Sequence, residues 1–392
     1  MNVRPISRTP ARSAPPRTTS RVPAGRRRAW ALVAVTVFAL LAGCASGPPP
    51  AAKRPPEAVR AEIERLLPPK TSDRAGWAED IQRAFSALDL DPGTSHLCAV
   101  LAVAGQESSF DPDPVVPGLG RIALAEIDRR AGEHHVPAVL VHAALRLESP
   151  DGRSYRTRID AVRTEGELSR IYEDLIGSVP LGRRLFADAN PVRTGGPMQV
   201  SVAFAERWAH DHPVPPELEG PVRREVFTRR GGLHFGIAHL LAYPVSYDRM
   251  LYRFADYNAG WYASRNAAFQ NALALASGRT LVLDGDLVRY DNGAVGATER
   301  AADALAPALG LDTRAIRRAL EQGEQPGFET SDLYRSVFAL ADRKAGRTLP
   351  RAMLPRIRLE SPKITRTLTT AWFAERVEQR YRQCLATAAR SP

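Results

Sequence analysis

The sequence predicts a mainly α-helical protein, and three observations carry that expectation. Apolar residues recur at helical spacing along most of the chain beyond residue 57. Strand signals are scarce: only Thr280–Tyr290, with Leu281, Val282, Leu283 and Leu287, reads as a short hairpin or extended loop. Finally, Ser95–Gln106 contains no Asp, Glu, Lys or Arg. A helix that is apolar nearly all round lies inside its protein.

The elements follow in order. Residues 57–67 read as a short helix stopped by Pro68-Pro69. Ser72 or Asp73 caps the next, whose Trp77, Ile81, Phe85 and Leu88 form an amphipathic stripe. Asp91-Pro92-Gly93 breaks it, and Thr94 or Ser95 caps the apolar helix that ends at Glu107. Residues 111–118 form a loop with three prolines. Helical patterns return at 119–131, 136–147 and 165–177, and Pro191–Pro197 is irregular. Further helices are expected at 199–210, 222–242, 249–257, 261–277, 297–308, 312–321, 329–344 and 364–388. The last of these carries Trp372 and Phe373 as packing residues.

The formal charge of +11 suggests a nucleic-acid or membrane partner, but its distribution argues otherwise. Residues 1–43 hold eight arginines and no acid; the remainder has 46 basic against 43 acidic residues, or +3. A nearly balanced body excludes nucleic-acid binding as an expectation. The N-terminus instead has an Arg-rich segment to Arg28, an apolar run from Ala29 to Leu41, and Leu41-Ala42-Gly43-Cys44. The run is too short to span a membrane comfortably. It resembles the signal peptide and lipobox of bacterial lipoproteins. That resemblance implies cleavage after residue 43, lipidation of Cys44 (palmitate among the acyl groups), and an outer-membrane anchor facing the periplasm. Residues 44–57, with five prolines, read as a tether.

Cys98 and Cys384 remain, and an exported compartment permits a disulfide between them. Cys98 equally suits a small core position. No His/Cys spacing suggests a metal, since His134-His135 and His210-Asp211-His212 lack third ligands. No organic cofactor is implied.

Glu107 is the candidate for chemistry. A carboxyl at the mouth of a central helix is partly desolvated, which raises its pKa and suits a general acid. Three strings lie in order: Glu107-Ser108-Ser109-Phe110-Asp111-Pro112, Gly195-Gly196-Pro197-Met198-Gln199-Val200-Ser201, and Phe254-Ala255-Asp256-Tyr257-Asn258-Ala259-Gly260. Together they resemble the lysozyme-like lytic transglycosylases, the superfamily of goose-type lysozyme. The chain as a whole also resembles a bacterial lipoprotein family labelled as a domain of unknown function.

The resemblance implies a lysozyme-like helical domain over 58–390, with an inserted helical subdomain at about 111–190 and extra C-terminal helices. It makes Glu107 the catalytic acid and then base, and Tyr257 the hydroxyl that hydrogen-bonds its carboxyl. Ser108, Gly196, Met198, Gln199, Asn258 and Gly260 become groove residues. The implied partner is the glycan strand of peptidoglycan, cut without water to leave a 1,6-anhydro sugar. Hydrolysis would need a second acid, for which Asp111, Asp113, Glu206 and Asp256 are candidates. A wall-binding protein without turnover is the non-enzymatic alternative, and protein partners are not specified by the sequence. Two features depart from the superfamily pattern: the 92 positions between Glu107 and Gln199, and Pro197 in place of the usual Leu.

Weaker readings complete the set. Glu107 alone also suits a buried ion pair with Arg121 or Arg193. Arg229-Arg230-Gly231-Gly232 reads as a solvated helix edge with a glycine bend, with contact to an acidic peptide stem or phosphate as the alternative. Trp261 and Tyr262 suit either sugar stacking or the core, and Arg265, Asn266 and Gln270 suit a cleft-lining helix face.

Overall fold

A computed structural model describes residues 54–178, 184, 190–290, 295–359 and 368–390. Cys44, the expected tether up to residue 53 and the expected signal sequence lie outside the described residues. So does much of 179–189, the C-terminal edge of the expected insertion.

Seventeen α-helices and two short hairpins make up the described residues. The mainly α expectation holds. Helices α1 (Pro56–Leu66) and α2 (Arg74–Ala87) pack side by side ahead of the central helix α3 (Thr94–Glu107). Asp73 caps α2 by accepting from the Gly76 amide at 3.1 Å. The α3 start differs from expectation. Gly93 takes the cap position without a side-chain bond, and the Thr94 hydroxyl instead donates to Glu62 at 2.7 Å.

Residues Leu97 to Gly105 of α3 are all buried, because helices cover them on every side. The largest cover is α17 (Thr370–Arg390), the C-terminal helix. A disulfide joins Cys98 to Cys384, with Cα atoms 5.5 Å apart. Tyr381 hydrogen-bonds Ser95 at 2.8 Å, and Arg380 donates to Gln106 at 3.1 Å. Phe373 is buried in this core and Trp372 packs against it.

Four helices follow: α4 (Leu119–Glu133), α5 (Ala138–Leu145), α6 (Tyr155–Ala161) and α7 (Glu165–Gly177). The sequence reading lacked α6, whose seven residues are too few to show a period. Buried Leu119, Leu145, Tyr155, Ile159 and Leu168 join one core with Val192, Val200, Phe204 and Phe235. These helices, expected to form an insertion, therefore share their apolar interior with the segment that follows them.

Strands β1 (Thr194–Gly195) and β2 (Val200–Ser201) pair antiparallel, with Gly195 opposite Val200. This hairpin replaces the expected helix start at 199. Ser201 caps α8 (Val202–Asp211) by accepting from the Phe204 amide. The expected helix 222–242 is two helices, α9 (Val222–Val226) and α10 (Arg229–Leu241), because Thr228 leaves helical geometry to cap the second. Then come α11 (Met250–Ala259) and α12 (Ala263–Ser277). Residues 280–290 run without a strand. A third core gathers α12 with α13 (Ala297–Asp303), α14 (Ala306–Leu309), α15 (Thr313–Leu320), a 3-10 turn (Pro326–Thr330) and α16 (Asp332–Ala345). Strands β3 (Arg358–Leu359) and β4 (Leu368–Thr369) lead into α17, which begins later than 364.

Candidate active site

The three strings meet around the C-terminal end of α3. Glu107 is its last residue, and Ser108 closes the helix by donating its hydroxyl to the Ala104 carbonyl at 3.0 Å. The chain then turns sharply. Ser109 and Phe110 both hold positive φ, 53° and 65°. Side chains rarely adopt this conformation, and it persists only where surroundings over-determine it. Here the clamp is the Phe110 ring, which lies against Gly105 and meets Trp77 edge-on at 5.5 Å.

Glu107 keeps part of its surface open to solvent, yet burial of the carboxyl raises its pKa to about 8. Among the described residues no cation offsets that burial. Among the described residues Glu107 has no ion pair, so the pairing with Arg121 or Arg193 is not found. A carboxyl in this state holds its proton at neutral pH.

The second string is the β1–β2 hairpin. Gly196 turns with φ 72°, and a Cβ there would meet the Val226 carbonyl at 2.0 Å. Pro197 and Met198 then settle on α10 where it lacks side chains. A Cβ on Gly232 would lie 2.4 Å from Pro197 Cδ, and one on Gly236 would lie 2.6 Å from Met198 Sδ. The Pro197 ring occupies the space that Gly232 leaves open. Met198 is fully buried. It does not line a groove, because the α10 glycines draw it inward. Gln199 takes the outward direction with φ 51°, its amide oxygen accepting from Thr194 at 3.3 Å.

The third string ends α11. The Tyr257 hydroxyl donates to the Met198 carbonyl at 2.7 Å. The expected bond to the Glu107 carboxyl is therefore not where that proton goes. Tyr257 is nevertheless close enough to Glu107 for the carboxylate charge to add to the rise in its own pKa, after burial. Asn258 is exposed and accepts from the Thr370 hydroxyl at 2.8 Å. That bond occupies the amide oxygen and leaves its N–H₂ group facing out. Gly260 ends the helix with φ 104°, a turn that suits only glycine.

Asp256 does not point to a ligand. It is fully buried and accepts from Tyr243 (3.1 Å), Tyr247 (2.7 Å), the Tyr262 amide (3.1 Å) and the Ser264 amide (2.7 Å). Burial raises its pKa to about 6, against the pull of those bonds. It is the staple between α11 and α12. The other candidate second acids are also engaged or remote. Asp113 accepts from Thr164 and the Gly166 amide at the start of α7. Asp111 is exposed, and Glu206 is 49% exposed beside Arg223.

The weaker candidates resolve into structural parts. Arg229 and Arg230 are not a solvated edge: both clasp buried Asp80, at 2.7 and 3.0 Å. Arg265 is buried and donates to the carbonyls of Gly323 and Gln325, and Asn266 donates to Gly323 as well. Gln270 binds Asp284 and the Asp286 carbonyl. These side chains hold loops to α12 and line no cleft. Tyr262 is buried, with its hydroxyl on the Pro244 carbonyl. Trp261 is half-buried and donates to the His239 carbonyl at 2.7 Å.

His239 was missed by the sequence reading. Its ring lies 4.9 Å from Tyr257 and 4.4 Å from Phe204, with Nδ1 buried and unpartnered among the described residues. Burial, with a contribution from Arg207, lowers its pKa to about 4, so the ring is neutral. A His inside the apolar run Leu233–Leu241 was the available signal. Among the described residues no group of three or more His, Cys, Asp or Glu side chains could hold a metal ion.

The chain matches the family described as "Protein of unknown function (DUF1615)" over residues 70–387. It belongs to that family. It is 54% identical over 356 residues to the "Uncharacterized protein YaiW" of Escherichia coli (strain K12), covering 90% of this chain and 96% of that relative. No solved structure matches it. The match spans all three strings, so the site belongs to the shared body of the family.

Proposed function

We propose that this chain is a lipid-anchored enzyme of the cell envelope that cleaves peptidoglycan glycan strands by a lytic transglycosylase mechanism. The observation that carries the reading is Glu107: a lone carboxyl that keeps its proton to about pH 8, beside Tyr257 and the Gly196–Gln199 turn. Protonated Glu107 donates to the glycosidic oxygen as positive charge develops at the sugar C1. The substrate's acetamido group steadies that carbon. The C6 hydroxyl of the muramic acid then attacks C1 and returns its proton to Glu107. Bonds and protons balance, and no water enters.

The state of the other acids supports this route over hydrolysis. A hydrolase of the inverting kind needs a second carboxylate across the bond. Asp256 is saturated by four donors, Asp113 caps a helix, and Asp111 and Glu206 lie in solvent. The buried position of Met198 favours a second reading, a glycan binder without turnover, because one expected groove wall is withdrawn.

Incubation with purified sacculi and mass spectrometry of the soluble products separates the readings. Anhydro-muropeptides are expected from the wild type and none from Glu107→Gln. Reducing-end products would mean hydrolysis, and binding without release would mean the silent binder.

A further inference from the structure

Helix α5 carries an apolar face that none of the described residues covers. Val139, Leu140, Ala143 and Ala144 share one face of the helix, and Val136 and Leu147 flank its two ends. All are exposed: Val139 by 73%, Leu140 by 60%, Leu147 by 58% and Val136 by 43%. The opposite face is the one that joins the protein, through buried Leu145 and half-buried Val141. The neighbours of α5 are α4 and α6, so the helix stands at a tip and not along a groove.

We propose that this face docks on a phospholipid bilayer bearing anionic headgroups and orients the protein body against the membrane. Three features select lipid over a protein partner. The face is purely aliphatic, without the Trp, Tyr or Arg that anchor protein interfaces. Residues 134–147 contain no Asp or Glu, although Glu133 and Glu148 stand just outside them, and their one always-charged side chain is the cation Arg146. Arg146 is exposed and has no partner among the described residues, so it is available to a phosphate headgroup. Of the flanking acids, Asp128 is engaged by His142 at 3.0 Å and Glu133 by Arg129, which leaves exposed Glu148 as the one acid at the edge of the face.

A patch of this size holds a membrane weakly alone, and stable attachment takes two signals. The second would be the acylated Cys44, so the orienting role rests on the lipoprotein reading. The docking itself does not, since it is read at α5.

The test uses the full chain, purified from membranes and reconstituted into phosphatidylethanolamine–phosphatidylglycerol vesicles. Leu140→Cys supplies a labelling site for an environment-sensitive fluorophore, with Arg335→Cys on α16 as the control. The label at 140 should shift to the blue and be quenched at least twofold by spin-labelled lipid, and the label at 335 should not. Val139→Asp, at a position too exposed to disturb folding, should remove the quenching of a label placed by Leu147→Cys. Absence of quenching at 140 in vesicle-bound protein overturns the proposal. So does shielding that rises with protein concentration in detergent without lipid, which would identify a second copy as the occupant. The mass of the Cys44 peptide reads acylation separately, so the anchor and the docking face can fail independently.

Discussion

The Tyr257 hydroxyl binds the Met198 carbonyl across 59 positions of sequence, at 2.7 Å. This bond ties the end of α11 to the β1–β2 hairpin, with Glu107 close to the ring. Its effect is to fix the tyrosine oxygen. With its only proton committed to a backbone carbonyl, that oxygen meets any further neighbour as an acceptor. A protonated Glu107 suits such a neighbour better than a carboxylate does.

Tyr257→Phe should therefore lower both stability and turnover. It strands a buried carbonyl, which costs about 1–3 kcal/mol. Urea denaturation followed by circular dichroism reads the first effect. If the tyrosine matters only as a strap, turnover falls no further than the folded fraction does. A larger loss in kcat on sacculi marks a role beside Glu107.

Asp256→Asn tests the α11–α12 staple. The carboxylate now accepts from four donors, two tyrosine hydroxyls and two backbone amides. An amide presents N–H groups to some of those donors and leaves them unsatisfied. The expected loss is about 2–4 kcal/mol, by the cost of breaking a buried network. Stability should also depend on pH. The folded pKa of Asp256, about 6, is raised above the ordinary 3.8. Its contribution is full below pH 3.8 and declines as pH rises through about 6, and the Asn variant lacks that decline. A variant as stable as wild type at pH 8, where Asp256 is ionised and accepts from all four donors, would contradict the staple.

Local patterns were legible in the sequence and long-range partners were not. The apolar run before Glu107 could be read because a helix buried all round has no polar face, whatever surrounds it. The stripe of α2 was equally plain. Met198 was misread because its burial depends on Gly236, which is 38 positions away and removes a side chain where the hairpin lands. Asp256 looked like a free acid because its donors come from residues 243, 247, 262 and 264, on both sides of a turn. Arg229 and Arg230 looked solvated because Asp80 lies about 150 positions away. Each error has one cause. A polar residue's role is set by what the fold brings to it, and a single sequence shows only its neighbours along the chain.

Gly236→Ala should be among the most damaging small substitutions in α10. The new methyl would sit 2.6 Å from Met198 Sδ and 2.7 Å from its Cβ. Neither fits without moving the hairpin, since Tyr257 holds the Met198 carbonyl from the other side. Overpacking of this kind costs about 1–3 kcal/mol. The double variant Gly236→Ala, Met198→Ala should recover part of the loss by opening space. Thermal unfolding of the four proteins in the cycle gives the coupling, and simple additivity would show that the two positions do not compete.

The disulfide between Cys98 and Cys384 closes a loop across 286 positions and pins α17 over α3. Cross-links of this kind stabilise by about 2–4 kcal/mol, and native-state geometry often trims the gain. Cys384→Ser should lower the urea midpoint by a corresponding amount under oxidising conditions. Adding a reductant should lower the wild type and leave the variant unchanged. An equal response of both proteins to reductant would place the stabilisation elsewhere.

Glu107 itself gives the most direct test, because its assigned work conflicts with stability. Burial raises its pKa from the ordinary 4.5 to about 8 in the folded chain. Below pH 4.5 both folded and unfolded chains carry the proton, and burial costs little. Between pH 4.5 and about 8 the unfolded chain ionises and the folded chain does not, so stability falls with rising pH. The slope for one group is at most about 1.4 kcal/mol per unit, and the partly open surface of the residue reduces it. Glu107→Gln has no such slope, so at pH 7 it should be more stable than wild type while releasing no anhydro product. Wild-type turnover should also fall as pH rises past about 8, when the proton donor is lost. A wild-type stability curve no steeper than that of the Gln variant between pH 5 and 8 would mean that the carboxyl is not held protonated. The chemical step assigned to it would then lose its physical basis.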